Sequence, residues 1–219
     1  MIKKALLIFS ILIFSVYGSL YGQFIDKYSA GVSGNISNII NNDIDDFRDY
    51  QFGYGIGFWG KKNITPRLGL VGGLEFSAVR FQLDFESIET SPDDTNIANI
   101  VRDKTTSSLF ILSLPVLAEI ELPLGFYGQL GPRADFEIAS NNGTADNFTI
   151  KIEDKLSDFS EFFTFGWSAG VGNKIGIAGV QLDIGLRFNT DVTDFIRDDG
   201  FTDMKKQRVD FWIKLPLPF

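Results

Sequence analysis

The chain has 219 residues, 28 acidic and 20 basic side chains, a formal net charge of −8, and neither Cys nor His. Those two absences exclude a disulfide framework, a thiolate zinc site, a cysteine nucleophile, Ser-His-Asp hydrolysis and nearly every imidazole-ligated metal site. The acidic balance argues against a nucleic-acid partner, which requires a basic face.

Residues 1–22 read as a secretory signal peptide. Lys3 and Lys4 supply the positive n-region, and residues 5–17 form a mostly apolar h-region followed by small residues. Cleavage is expected after Gly18 or Gly22. The apolar stretch is too short to span a hydrocarbon layer of about 30 Å. Residues 23–219 then form one exported domain.

That domain alternates apolar and polar residues with the period of a β-strand nearly throughout. Tyr28, Ala30, Val32, Gly34 and Ile36 oppose small polar residues, and Phe52, Tyr54, Ile56 and Phe58 oppose three glycines. Leu68, Leu70, Gly72, Leu74 and Phe76 continue the pattern. Past Ala78 the phase slips, so that Val79, Phe81, Leu83 and Phe85 become the apolar set. One extra residue, a β-bulge near Ala78, accounts for the slip and turns Phe81 and Phe85 away from the interior.

Five further strands follow, around residues 110–120, 126–138, 163–171, 180–188 and 209–219. The expected count is eight. The connections alternate in length: 61–66, 123–125 and 174–179 are short, whereas 41–49, 87–103, 141–158 and 191–206 are long. An antiparallel meander trimmed at one end and elaborated at the other has the form of an outer-membrane barrel, with both termini on the periplasmic, short-turn side.

Charge follows the same division. The four long connections carry 17 acids and 7 bases, and the rest of the mature chain carries 11 of each. Charge facing lipid costs about 2–4 kcal/mol at the bilayer midplane. The strand face bearing Arg133, Asp135, Asp183, Arg187, Asp210 and Lys214 is therefore assigned to the lumen. Arg67, Glu75, Glu119, Glu121 and Glu137 join it as an internal charge network with a structural role.

The stretches Leu112-Ser113-Leu114-Pro115-Val116-Leu117-Ala118, Gly125-Phe126-Tyr127-Gly128-Gln129-Leu130-Gly131-Pro132 and Gly185-Leu186-Arg187-Phe188-Asn189, with a closing strand ending in Phe219, resemble the PorT-type outer-membrane barrel domain. The resemblance covers nearly all of the mature chain and implies fold and location rather than a reaction. The secretion role of the family's namesake is not carried over, because no residues here specify it. Phe219 looks like the terminal aromatic signal read by the barrel assembly machinery.

Other patterns have plainer readings. Gly55-Ile56-Gly57-Phe58-Trp59-Gly60 matches a dinucleotide fingerprint but lies inside a strand with no helix after it, so its glycines make room in a narrow barrel. The carboxylate pairs Glu119/Glu121 and Asp135/Glu137 have the chemistry of an acid–base dyad. In an eight-stranded barrel, whose interior side chains just fill, they are read as members of the ion-pair network. Asp43, Asp45, Asp46, Asp93, Asp94, Asp198 and Asp199 lack the spacing of a calcium loop. They form an anionic outer surface that divalent ions can bridge to lipopolysaccharide.

The expected fold is all-β, an eight-stranded antiparallel up-and-down transmembrane β-barrel in a Gram-negative outer membrane. No enzyme, cofactor or metal site is expected. The expected function is a structural or interaction role, as an accessory to an envelope or secretion complex whose partner protein is not identified. Lipid A-modifying barrels, the rival enzyme class, use His among their catalytic groups. A soluble lipocalin-like barrel holding an apolar ligand also fits the strand alternation, with the opposite inside–outside assignment. A small passive channel is a third rival.

Overall fold

The computed structural model describes residues 25–40, 50–90, 98–142, 162–177, 179–193 and 205–218, with side chains described outside 82–90, 98–105 and 141–142. Residues 1–22, Phe219 and the seven loop aspartates named above lie outside the described residues. Eight strands are present: β1 (Lys27–Ile40), β2 (Gln51–Asn63), β3 (Leu68–Thr90), β4 (Ala98–Glu121), β5 (Phe126–Asn142), β6 (Phe163–Ile177), β7 (Val180–Asp191) and β8 (Lys205–Leu217). Each pairs antiparallel with its sequence neighbours, and β1 pairs with β8 from Tyr28↔Leu217 to Ile40↔Lys205, closing the barrel. Closure leaves no free sheet edge where all eight strands run together.

The tight turns lie at one end. Residues 64–67 join β2 to β3, with the amides of Ile64 and Thr65 bonded to the Leu68 carbonyl. The turn Pro123–Gly125 takes Leu124 and Gly125 into the left-handed region, at φ 63° and 79°. Gly179, at φ 83°, turns β6 into β7. At this end the Asn63 amide (2.7 Å) and Lys62 (3.0 Å) bind Asp26 and hold its carboxyl below the ordinary carboxylate range. The entry to β1 is thereby tied to the exit of β2.

Alternation sorts the wall into two faces. Val32, Ile56, Phe76, Leu130, Val171, Leu186, Phe211 and Ile213 stand exposed on the outside. A soluble protein does not expose a continuous apolar belt of that kind. A soluble lipocalin-like barrel requires this set inside, and the structure puts it outside. The inner face carries Trp59, Glu75, Tyr127, Arg133, Arg187, Asp210, Trp212 and Lys214, all buried.

The expected bulge near Ala78 is not there. β3 keeps one register against β4 from Leu68↔Ile120 to Thr90↔Ala98, so Val79 and Phe81 remain on the inner face, both 1% exposed. The side chain of Phe85 lies outside the described residues. Ile39, Leu109 and Ile111 are likewise buried on inward positions toward the end away from the tight turns. The hydrophobic pattern flips past Ala78 because the lumen changes from charged to apolar there, not because the strand slips. Arg80, its side chain on the outer face, is exposed. The register break lies instead in β5, where Ile111 pairs with Glu137 and Phe110 with Ala139, leaving Ile138 as the extra residue.

The glycines explain how large rings fit a narrow barrel. Trp59 lies directly across from Gly73, Trp212 from Gly185 and Tyr127 from Gly172. A Cβ at Gly73 would overlap the Trp59 indole, and one at Gly185 would stand 2.6 Å from the Trp212 ring. Each ring thus packs on the bare backbone of the adjacent strand. Gly73→Ala is expected to cost about 1–3 kcal/mol by overpacking. The adjacent Gly72→Ala, which meets nothing within 4 Å, is expected to be neutral or to gain about 0.5 kcal/mol. Urea midpoints of the two refolded variants check this contrast.

Candidate functional site: the charged lumen

Inward positions of seven strands bring oppositely charged side chains together in layers. Nearest the tight turns, Lys61 Nζ lies 2.8 Å from Glu119 and 2.6 Å from Glu121, and Lys174 Nζ lies 3.1 and 2.7 Å from the same carboxylates. Gln129, the cross-strand partner of Glu119, donates to its second oxygen at 2.7 Å. Two cations and two anions so form a closed square across β2, β4 and β6.

The middle layer is aromatic and ionic. Trp59 Nε1 donates to Glu75 Oε1 at 2.7 Å, and Arg187 donates to the other Glu75 oxygen. Arg187 also reaches Asp210 at 3.2 Å, its cross-strand partner, while Arg208 Nε lies 2.7 Å from Asp210 and Asn189 donates to it at 2.8 Å. Asp210 therefore gathers two guanidiniums and an amide. Tyr127 donates its hydroxyl to Asp183. Lys214 Nζ lies over the faces of both Trp59 (4.5 Å) and Trp212 (4.6 Å).

Farther from the tight turns, Arg133 binds Asp191 at 2.8 Å and stands 3.0 Å from Asp135. Lys206 lies 3.4 Å from Asp191 and 3.9 Å from Asp135, and donates to Thr164 at 3.0 Å. All four charged groups are buried. Isolated charges in such a place would cost several kcal/mol each, so the pairing is a condition for folding this interior at all.

Ten of the eleven residues read from the sequence as lumen charges lie on inward strand positions, with Glu137 buried at the β5 bulge and Asp183 half-buried. Arg67 does not. It is exposed in the turn between β2 and β3, because the inward phase of β3 begins at Gly69, two residues later. The sequence pattern puts Lys61, Lys174, Asp191 and Lys206 in connections, yet each sits inside a strand and holds an ion pair. The signal that finds them is continuation of phase: Gly57, Trp59, Lys61; Gly170, Gly172, Lys174; Asn189, Asp191. Among the described residues no group of three or more acidic side chains is arranged to hold a metal ion.

A cavity of about 70 Å³ opens among Lys27, Trp59, Lys61, Lys174, Asp183 and Lys214, at the tight-turn end.

The family model described as outer membrane protein beta-barrel domain matches residues 23–197. No curated protein matches the chain. Among solved structures, Neisserial surface protein A is 11% identical with a TM-score of 0.49, covering 86% of this chain and 96% of that one. The attachment invasion locus protein Ail of Yersinia pestis, solved with the heparin analogue sucrose octasulfate, is 11% identical with a TM-score of 0.42, covering 87% and 98%. OprG of Pseudomonas aeruginosa is 11% identical with a TM-score of 0.38, covering 88% and 94%.

Proposed function

Because the chain belongs to the outer membrane protein beta-barrel domain family, we propose that it is a non-enzymatic barrel whose working surface is the part standing beyond the outer leaflet. In this reading both termini are periplasmic, the outer belt meets membrane lipid, and the acidic connections face lipopolysaccharide and the medium. The lumen charges serve stability, and Phe219 serves the barrel assembly machinery.

The observation that carries the reading is the hairpin of β3 and β4. It continues for nine residue pairs, Gln82↔Thr106 to Thr90↔Ala98, past the last rung of β4 with β5 at Ser107↔Asn142. At about 3.4 Å per residue that is roughly 30 Å of sheet. Among the described residues, β3 has no β2 partner beyond Ala78 and β4 has no β5 partner before Ser107. Open strand edges are surfaces to which another chain can add a strand. The partner in this reading is a protein of the envelope or cell exterior. Kinship with the PorT type, supported by residues 112–118 and 125–132, belongs to the same proposal.

The interior supports a structural role over a passive channel, since three rings and the ion-pair layers occupy it. No steady conductance is expected in planar bilayers. The chain has no native Cys, so Thr90→Cys and Thr65→Cys are each unique thiols. On intact cells, an impermeant maleimide is expected to label the first and not the second. A benzophenone maleimide at position 90 is expected to yield a discrete crosslinked adduct. Labelling at position 65 only, no adduct from position 90, or an open-channel current would overturn the reading.

A further inference from the structure

Two adjacent strands of the wall carry a proline at mid-length. Pro115 lies midway between Phe110 and Ile120, outward residues of β4, and Pro132 lies midway between Phe126 and Ile138, outward residues of β5. A proline has no N–H to give a ladder, and within sheets it is otherwise confined to edge strands, first residues and bulges. None of these applies here, because both strands are paired on both sides and the β5 bulge lies at Ile138.

Both ladders lapse where the prolines stand. Between β3 and β4 the pairing runs to Gly72↔Val116 and resumes at Glu75↔Ser113, which leaves out Gly73 and Leu74 against Leu114 and Pro115. Between β4 and β5 it stops at Pro115↔Arg133 and resumes at Ala118↔Leu130, which leaves out Val116 and Leu117 against Gly131 and Pro132. On its other side Pro132 keeps an unbroken ladder, paired with Trp167. The missing amide of Pro115 therefore faces β3, that of Pro132 faces β4, and the two gaps adjoin across β4.

Side chains do not bridge the gaps. Gly73 and Gly131 hold inward positions there, and behind them Trp59, Val71 and Leu117 form a buried apolar cluster. Among the described residues no side-chain hydrogen bond joins 114–117 to 130–133. The clasp of Gln129 on Glu119 lies beyond the gap, toward the tight turns. Val116 and Leu130 stand exposed on the outer belt, where no water replaces a lost backbone bond. A section poor in backbone hydrogen bonds opens at a lower free energy than its surroundings. The β6–β7 ladder, by contrast, is continuous from Gly166↔Asp191 to Ile177↔Val180.

We propose that the middle of β4 and β5, with the adjoining stretch of β3, is a seam at which the closed wall parts locally while the other ladders hold. Parting there opens the Trp59–Val71–Leu117 cluster toward the bilayer. The seam joins the stretches 112–118 and 125–132 that carry the resemblance to the PorT type, and it gives Pro115 and Pro132 a common role. It is independent of the extracellular partner proposed above.

Amide hydrogen exchange of the protein refolded in lipid nanodiscs, read by mass spectrometry, tests the seam. Peptides covering 111–118 and 128–135 are expected to exchange about tenfold or more faster than peptides covering 166–173 and 182–189 of β6 and β7. Pro132→Ala restores the amide facing β4, and Pro115→Ala the one facing β3. Each is expected to lower the ratio of seam to β6–β7 exchange by about threefold or more, the worth of a hydrogen bond, while the band still shifts on boiling. The ratio is the readout because removing a proline also frees the unfolded chain and so changes global stability. Pro216→Ala, at the turn end of β8, is expected to leave the ratio unchanged. Equal exchange in the two regions, a ratio that neither seam variant lowers, or one that Pro216→Ala lowers equally would overturn the proposal.

Discussion

Arg187→Met is expected to lower the free energy of unfolding by about 3–5 kcal/mol, the cost of removing one member of a buried ion-pair network. The guanidinium is 3% exposed and bonds both Glu75 and Asp210. Deleting it leaves Glu75 with the Trp59 indole and Asp210 with Arg208 and Asn189. The midpoint of urea unfolding, followed by loss of the fast-migrating gel band, should fall by on the order of 2 M for a typical urea dependence. Glu75→Gln in the Arg187→Met background should recover part of the loss, because one unpaired charge disappears with it. Residues sharing one network couple by about 0.5–3 kcal/mol. A urea midpoint that Arg187→Met leaves in place would mean that water, rather than protein, solvates Glu75 and Asp210.

Leu186→Arg carries the second large effect, of similar size and opposite location. Leu186 is the residue before Arg187, and it stands 51% exposed on the outside between Val171 and Phe211 of the flanking strands. A cation there faces hydrocarbon, at a cost of about 2–4 kcal/mol near the midplane. Leu186→Ala should cost appreciably less, since it removes apolar area without introducing charge. Arg80→Leu, past the point where the lumen turns apolar, should stay within about 0.5 kcal/mol of the parent. Refolding yield into bilayers of defined thickness measures all three. Equal costs for Leu186→Arg and Arg80→Leu would contradict a lipid-facing Leu186.

Much of this was legible in the residues, for one physical reason. A strand in a lipid-embedded barrel has two solvents, hydrocarbon outside and packed polar groups inside, so period two is enforced along every strand. Arg133, Asp135, Arg187, Asp210 and Lys214 fall on one phase with Trp59, Tyr127 and Trp212, and that phase is the lumen. The same rule misleads where one of the solvents changes. At Val79 and Phe81 the interior becomes apolar, and the change imitates a bulge. At Lys61, Lys174, Asp191 and Lys206 a charge at a strand end looks like a loop residue, although its partner waits inside the barrel. The real bulge at Ile138 leaves no mark in the local pattern. It shows only in how β5 registers against Phe110 and Ile111. The pairing of Trp59 with Gly73 and of Trp212 with Gly185 was equally hidden, because it depends on register across strands. Arg67 misled in the reverse sense: it keeps the phase of Gly69, two residues on, but lies in the turn before β3 begins at Leu68.

The same geometry bears on the two carboxylate pairs. Glu119 and Glu121 share Lys61 and Lys174, and Asp135 shares Arg133 with Asp191. The arrangement suits a scaffold.

Cell fractionation combined with gel mobility before and after boiling tests most directly whether the charged face is the inside of the barrel and the apolar face meets lipid. The predicted result is recovery in the outer-membrane fraction, with a compact band that shifts only when the sample is boiled. Recovery as a soluble periplasmic or secreted protein, with no heat-dependent shift, would contradict it and exchange inside for outside on every strand.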